Sequence, residues 1–149
     1  MKKKILIFSL FPLLFFASSG HAYSETVKLS QDGGMEIEIV HPDAVLNERT
    51  FSISFLIQNN GWESKQDIIL KLTNPDQAFI PVSENTIQIE ELTASSSFGT
   101  TLDYVVHEDA TEGTHFINID YSQILLSNNV DPMPQTQMNI AIPIEKNTN

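Results

Sequence analysis

The chain has 149 residues, a formal charge of −11 and no cysteine. That length suits one domain and is short for two. Without Cys there is no disulfide framework, thiolate nucleophile, Cys-ligated zinc or iron–sulfur cluster. The acidic balance speaks against nucleic acid and anionic lipid as partners, because both are bound by Lys and Arg neutralising phosphate.

Residues 1–22 carry the three parts of a cleavable secretory signal. Met1-Lys2-Lys3-Lys4 is the charged start and Ile5 to Ala17 the apolar stretch. Gly20-His21-Ala22 then sets small residues three and one before a cut between Ala22 and Tyr23. Spanning a bilayer takes roughly 20 apolar residues, and this run decays sooner, into Ser18-Ser19-Gly20-His21. The expected product is an exported chain in the periplasm, at the cell surface or in the medium, not inserted in the membrane. It keeps 127 residues, and loss of Lys2, Lys3 and Lys4 takes its charge to −14. An uncleaved signal, with the domain as the exterior part of a membrane-anchored complex subunit, is the alternative.

Residues 23–34 are polar and end in Asp32-Gly33-Gly34, which predicts a flexible lead-in. Residues 35–144 predict an all-β, antiparallel sandwich of about seven strands. Met35, Ile37 and Ile39 alternate with Glu36 and Glu38 up to Pro42-Asp43. Phe51, Ile53, Phe55 and Ile57 alternate with Ser52, Ser54 and Gln58, and period-two spacing puts the four large apolar residues on one buried face. Asn59-Asn60-Gly61 predicts a tight hairpin with positive φ. Ile68, Leu70 and Leu72 continue inward, and Trp62 lies in phase with them, predicting that it caps one end of the core. Phe79 to Val82 reads as a short edge segment because of Pro81. Ile87 and Ile89 share a face. Phe98, Thr100, Leu102, Tyr104 and Val106 alternate next, then His115, Ile117, Ile119 and Tyr121, and finally Met138, Ile140, Ile142 and Ile144. Residues 145–149 form a polar tail. The core rests on aliphatic and aromatic packing, each fully buried Phe or Ile contributing roughly 1.5–3 kcal/mol.

The run Phe51-Ser52-Ile53-Ser54-Phe55-Leu56-Ile57-Gln58-Asn59-Asn60-Gly61 resembles the second strand and turn of CARDB-type domains. These are immunoglobulin/fibronectin-III-like modules of prokaryotic secreted and surface proteins. The resemblance continues through Gly113-Thr114-His115-Phe116-Ile117-Asn118-Ile119-Asp120, the Ser127-Asn128-Asn129 turn and the closing Ile140-Ala141-Ile142. It covers about residues 35–144 and implies an immunoglobulin-like sandwich. It brings no catalytic residue with it.

The chain has no G-x-S-x-G and no H-E-x-x-H, so no catalytic residue and no cofactor is assigned. His41, His107 and His115 fall at strand ends and read as partly exposed side chains. Glu108, Asp109 and Glu112 form an acidic turn flanked by His107 and His115. Hard oxygen ligands at that spacing would suit Ca²⁺, and the imidazoles would add Zn²⁺ or Cu²⁺. The competing reading is a solvated hairpin tip whose charges deter edge association. Met133 and Met138 are a further soft pair, with Met138 in phase with the core. Glu36, Glu38, Glu90 and Glu91 read as solvent faces. Trp62 and Tyr104, which would otherwise suit sugar stacking, read as core. Leu56, Ile69 and Val105 fall at outward phases and would mark a partner patch if clustered; an open sheet edge would accept a partner's strand. The expected function is a secreted, non-catalytic module that acts by contact with a protein or cell-envelope partner. A metal- or carbohydrate-binding module is the alternative.

Overall fold

The computed structural model describes residues 22–29, 34–42, 45–46, 50–124 and 136–145. These residues form ten strands and no helix. In chain order they are β1 (Ala22–Lys28), β2 (Met35–Pro42), β3 (Val45–Leu46), β4 (Thr50–Asn59) and β5 (Lys65–Thr73). There follow β6 (Phe79–Pro81), β7 (Thr86–Leu92), β8 (Ser96–Val106), β9 (Gly113–Ile124) and β10 (Thr136–Glu145). One sheet has the order β1-β2-β4-β8-β6 and the other β3-β10-β9-β5-β7. All pairings are antiparallel except the two-residue contact of β3 with β10.

The alternation that predicts strands also builds the core. Along β4, Phe51, Ile53, Phe55 and Ile57 are buried while Ser52 is exposed and Ser54, Leu56 and Gln58 are half-buried. Ile68, Leu70 and Leu72 of β5, Ile117, Ile119 and Tyr121 of β9, and Ile140 and Ile142 of β10 meet them from the opposite sheet. One end of this core is aromatic. Phe51 stacks on Tyr104 with centroids 5.5 Å apart and takes the edge of Phe79 at 5.0 Å.

The structure departs from the sequence expectation in three places. First, Ala22–Lys28, expected as the last signal residue and the start of the lead-in, is an edge strand whose backbone pairs with β2 from Ala22↔Pro42 to Lys28↔Glu36. Its side chains are almost all exposed or half-buried, so hydrophobic patterning carried little sign of it. Second, Asn59-Asn60-Gly61 is not a hairpin. β4 and β5 lie in different sheets, and none of the three residues has positive φ. The segment is a crossover, and Asn59 serves it as a polar clip rather than a turn former. The acidic Glu108–Glu112 turn is likewise a crossover, from β8 in one sheet to β9 in the other. Third, Trp62 is 87% exposed. It sits in a bend that ends before β5 begins at Lys65, and β5 opens with a bulge between Gln66 and Ile69 where Asp67 takes φ 50°. A bulge breaks period-two phase, so extrapolating from Ile68 back to Trp62 fails. The signal, the Ser127-Asn128-Asn129 turn, Met133 and the tail beyond Glu145 lie outside the described residues.

Candidate functional site

The five residues weighed from sequence as candidate metal ligands, Glu108, Asp109, Glu112, His107 and His115, do not form one cluster. Among the described residues, no three His, Cys, Asp or Glu side chains lie grouped as a metal site. His115, near the start of β9, faces the β5–β6 connection. Its Nδ1 lies 2.6 Å from Asp76 Oδ2 and its Nε2 2.8 Å from the Thr111 carbonyl. A carbonyl can only accept, and a carboxylate is best met by a donor, so this geometry suits an imidazolium with both nitrogens protonated. Such a ring has no lone pair for a metal. Burial of the ring works against its charge, but the Thr111 carbonyl and the hydrogen bond and charge of Asp76 hold its pKa above the ordinary histidine value. Asp76 Oδ1 also accepts from the Ala78 amide, and the ring meets the edge of Phe79 at 5.9 Å. His115 therefore pins the β5–β6 connection onto β9.

His107 Nδ1 accepts from the Asp109 amide at 3.1 Å, a bond within its own turn. Glu108 and Asp109 are exposed, and Glu112 is exposed as well. His41, expected to be partly exposed, is buried under Tyr23 of β1, with ring centroids 5.2 Å apart. Leu56 and Val105 sit on the outer face of one sheet and Ile69 on the other, so the three do not form a patch. Val105 does pair with exposed Ile80 beside exposed Val82.

The end of the sandwich near the β4–β5 crossover has a different character. An open groove of about 630 Å³ is lined by Gln58, Asn60, Thr93, Ala94, Ser95, Ser96 and Ser97. Gln58 and Ser97 face each other across β4 and β8, and the β7–β8 turn completes the wall. Asn59, fully buried, fixes this end. Its Nδ2 donates to the carbonyls of Leu92 (2.9 Å), Glu63 (2.8 Å) and Thr93 (3.2 Å), and its Oδ1 accepts from the Gly61 amide. The bend carrying Trp62 and the turn lining the groove are thus held by one side chain. The sequence marked Asn59 and Trp62 but misassigned both; the signal for the site is the neutral, hydroxyl-rich run Thr93–Ser97, which Asn59 ties to the bend carrying the single tryptophan.

No protein-family model and no curated relative matches the chain. Among solved structures it is similar to alpha-2-macroglobulin from Escherichia coli, in a crystal structure running from domain MG7 to the C-terminus. The TM-score is 0.57 at 12% identity, over 85% of this chain and 17% of that one. A cryo-EM reconstruction of the native conformation of the E. coli protein gives 0.57 at 11% identity, over 76% and 8%. The chain thus spans a small part of the macroglobulin's length, and at such identities the likeness speaks for fold alone. The chain is an immunoglobulin-like β-sandwich.

Proposed function

We propose that this chain is an exported, non-catalytic binding module that works by surface contact with a protein or cell-envelope partner. The observation that carries the reading is Trp62, 87% exposed on a bend that Asn59 holds in place. Exposing a Trp forfeits a large apolar burial, and a Trp fixed on a surface is a frequent anchor for a partner. Ile80, Val82 and Phe116, also exposed, add apolar surface elsewhere on the domain. The resemblance to CARDB-type modules supports the same reading, as does the signal-like segment of residues 1–22. A cut after Ala22 would leave Tyr23–Lys28 able to pair with β2.

The test is capture from native envelope extracts with the wild-type domain and with Trp62→Ser, beside mass spectrometry of the exported protein. A partner retained by the wild type and lost by the variant, with an N-terminus at Tyr23, is the expected result. Enzyme-like turnover of a panel of esters, glycosides and peptides would overturn the non-catalytic reading. A mature chain that keeps residues 1–22 would replace export by membrane anchoring.

A further inference from the structure

We infer that the groove between the β4–β5 crossover and the β7–β8 turn binds a neutral saccharide, with Trp62 as its stacking platform. The inference rests on the reading of the chain as a binding module and names the class of ligand. Four features of the site select that class.

The volume, about 630 Å³, falls within the roughly 300–1,000 Å³ typical of small-ligand sites. The lining residues are uncharged and, but for one alanine, of polar type: two carboxamides, one threonine and three serines. Amides and hydroxyls both donate and accept, which matches the alternating donor and acceptor character of sugar hydroxyls. A protein partner would instead be met by an apolar interface core, which Ala94 alone does not provide. Trp62 does not line the groove but follows the lining residue Asn60 by two positions, on the bend that Asn59 ties to Thr93, and there supplies what the groove lacks. A sugar ring has one face of C–H groups, and an indole is the side chain best suited to cover it while the ring's hydroxyls reach polar neighbours.

Pre-organisation is the third feature. Asn59 ties the bend at Gly61–Glu63 to the Leu92–Thr93 backbone, so the platform and one wall of the groove are set before ligand arrives. The Asn60 amide donates to Glu36, which leaves its Oδ1 as an acceptor at the groove. Ser95 holds φ 56° at the tip of the turn, a left-handed conformation that L residues seldom keep without a reason.

Charge is the fourth. The groove lining carries no charge, and the acidic residues near it, Glu36 hydrogen-bonded to Asn60, Glu63 on the Trp62 bend and Glu91 beside Leu92, outnumber the neighbouring cation Lys65, which pairs with Leu92. Such a surface repels uronates, sulfated glycans and phosphorylated sugars, leaving neutral chains as the fitting ligand.

The experiment uses the single tryptophan as its own reporter, since Trp62 is the only indole in the protein. The mature protein is titrated with cello-, manno-, xylo- and chitohexaose and with an oligogalacturonate as the acidic control. The expected result is a saturable blue shift of emission with at least one neutral oligosaccharide and none with the acidic one. By calorimetry, Trp62→Ala and Ser97→Ala weaken that binding tenfold or more, while their thermal unfolding matches the wild type. No binding to any neutral oligosaccharide at millimolar concentration overturns the inference, as does tighter binding of the oligogalacturonate or binding that survives Trp62→Ala. Cleavage of the bound oligosaccharide, followed by chromatography, would overturn the non-catalytic reading and leave the groove assignment standing. Envelope capture that persists without saccharide binding would overturn the groove assignment and leave the binding-module reading standing.

Discussion

The Asn59 side chain donates to the Leu92 carbonyl across 2.9 Å, joining the last residue of β4 in one sheet to the last residue of β7 in the other. The same amide group serves Glu63 and Thr93, so one buried side chain satisfies backbone acceptors from two connections. Removing it leaves those carbonyls without their donor, the Leu92 carbonyl in a buried position and the Glu63 and Thr93 carbonyls in part-buried ones. Each such orphan costs about 1–3 kcal/mol. Asn59→Ala is expected to lower stability by about 2–3 kcal/mol, read as a fall in the urea midpoint with an unchanged slope. Asn59→Asp is the sharper test. A buried carboxylate facing carbonyl oxygens favours its protonated form. The folded state of that variant then binds the extra proton, and its stability rises as pH falls. A variant with flat pH dependence would contradict the clip.

Tyr104 presents the opposite case, a buried hydroxyl with no hydrogen-bond partner. Its ring is well used, stacked on Phe51 in the aromatic end of the core. Burial pushes the phenol up to about 12. Tyr104→Phe keeps the ring and removes the orphan, so stability is expected to be unchanged or to rise by about 1 kcal/mol. Tyr104→Ala, which leaves a cavity, should cost about 3–5 kcal/mol. The sign at high pH follows from the raised value. The folded state holds its proton while the unfolded phenol, near 10, loses it, so the wild type loses stability as pH rises from about 10 to about 12. Tyr104→Phe should lack that component of the alkaline fall, measured as the difference between the two proteins' urea midpoints.

The His115–Asp76 pair makes a prediction of the same form near neutrality. The histidine's folded pKa is raised, so the pair's stabilisation is fully present below the unfolded value of about 6.5. It is lost as pH rises through the higher folded value. The wild type should therefore exceed His115→Gln in stability by more at about pH 5.5 than at about pH 8.5. Comparing the two proteins cancels the general repulsion of an acidic chain, which also varies with pH. Asp76→Asn should shrink the difference, since it removes the charge that helps to hold the proton. Equal differences at both pH values would mean that the ring is neutral in the fold.

These residues also show where sequence was readable. Phe51 to Ile57 and Ile117 to Tyr121 disclosed their strands because alternation is a direct image of burial on a pleated sheet. Which sheet each strand joins has no such local image. Asn59-Asn60-Gly61 therefore looked like a hairpin, although β4 and β5 part company there. The His115–Asp76 contact closes over 39 residues and is visible only once β9 and the β5–β6 connection are side by side. Trp62 was misplaced because one bulge at Asp67 resets the phase on which its burial was inferred. β1 escaped notice because it is held mainly by its backbone ladder to β2, and ladder bonds leave no mark on composition. The groove was dispersed over β4, β8, the β4–β5 crossover and the β7–β8 turn, and its neutral residues read as ordinary loop.

Ser95 joins stability to the proposed site. Its φ of 56° lies in the left-handed region, which costs an L residue about 1–2 kcal/mol. Glycine avoids that penalty but gives up roughly 0.5–1 kcal/mol in backbone entropy. The balance favours Ser95→Gly by about 0.5–1 kcal/mol, a gain in melting temperature of a few degrees for a domain of this size. The same substitution removes one hydroxyl from the groove lining. If the groove holds a saccharide, Ser95→Gly should be more stable yet bind several-fold more weakly, and Ser95→Asn, which tolerates the left-handed region and keeps a polar group, should recover part of the affinity. A glycine variant that gains stability with undiminished binding would place the ligand's contacts elsewhere, on Trp62 and the β4 side of the groove.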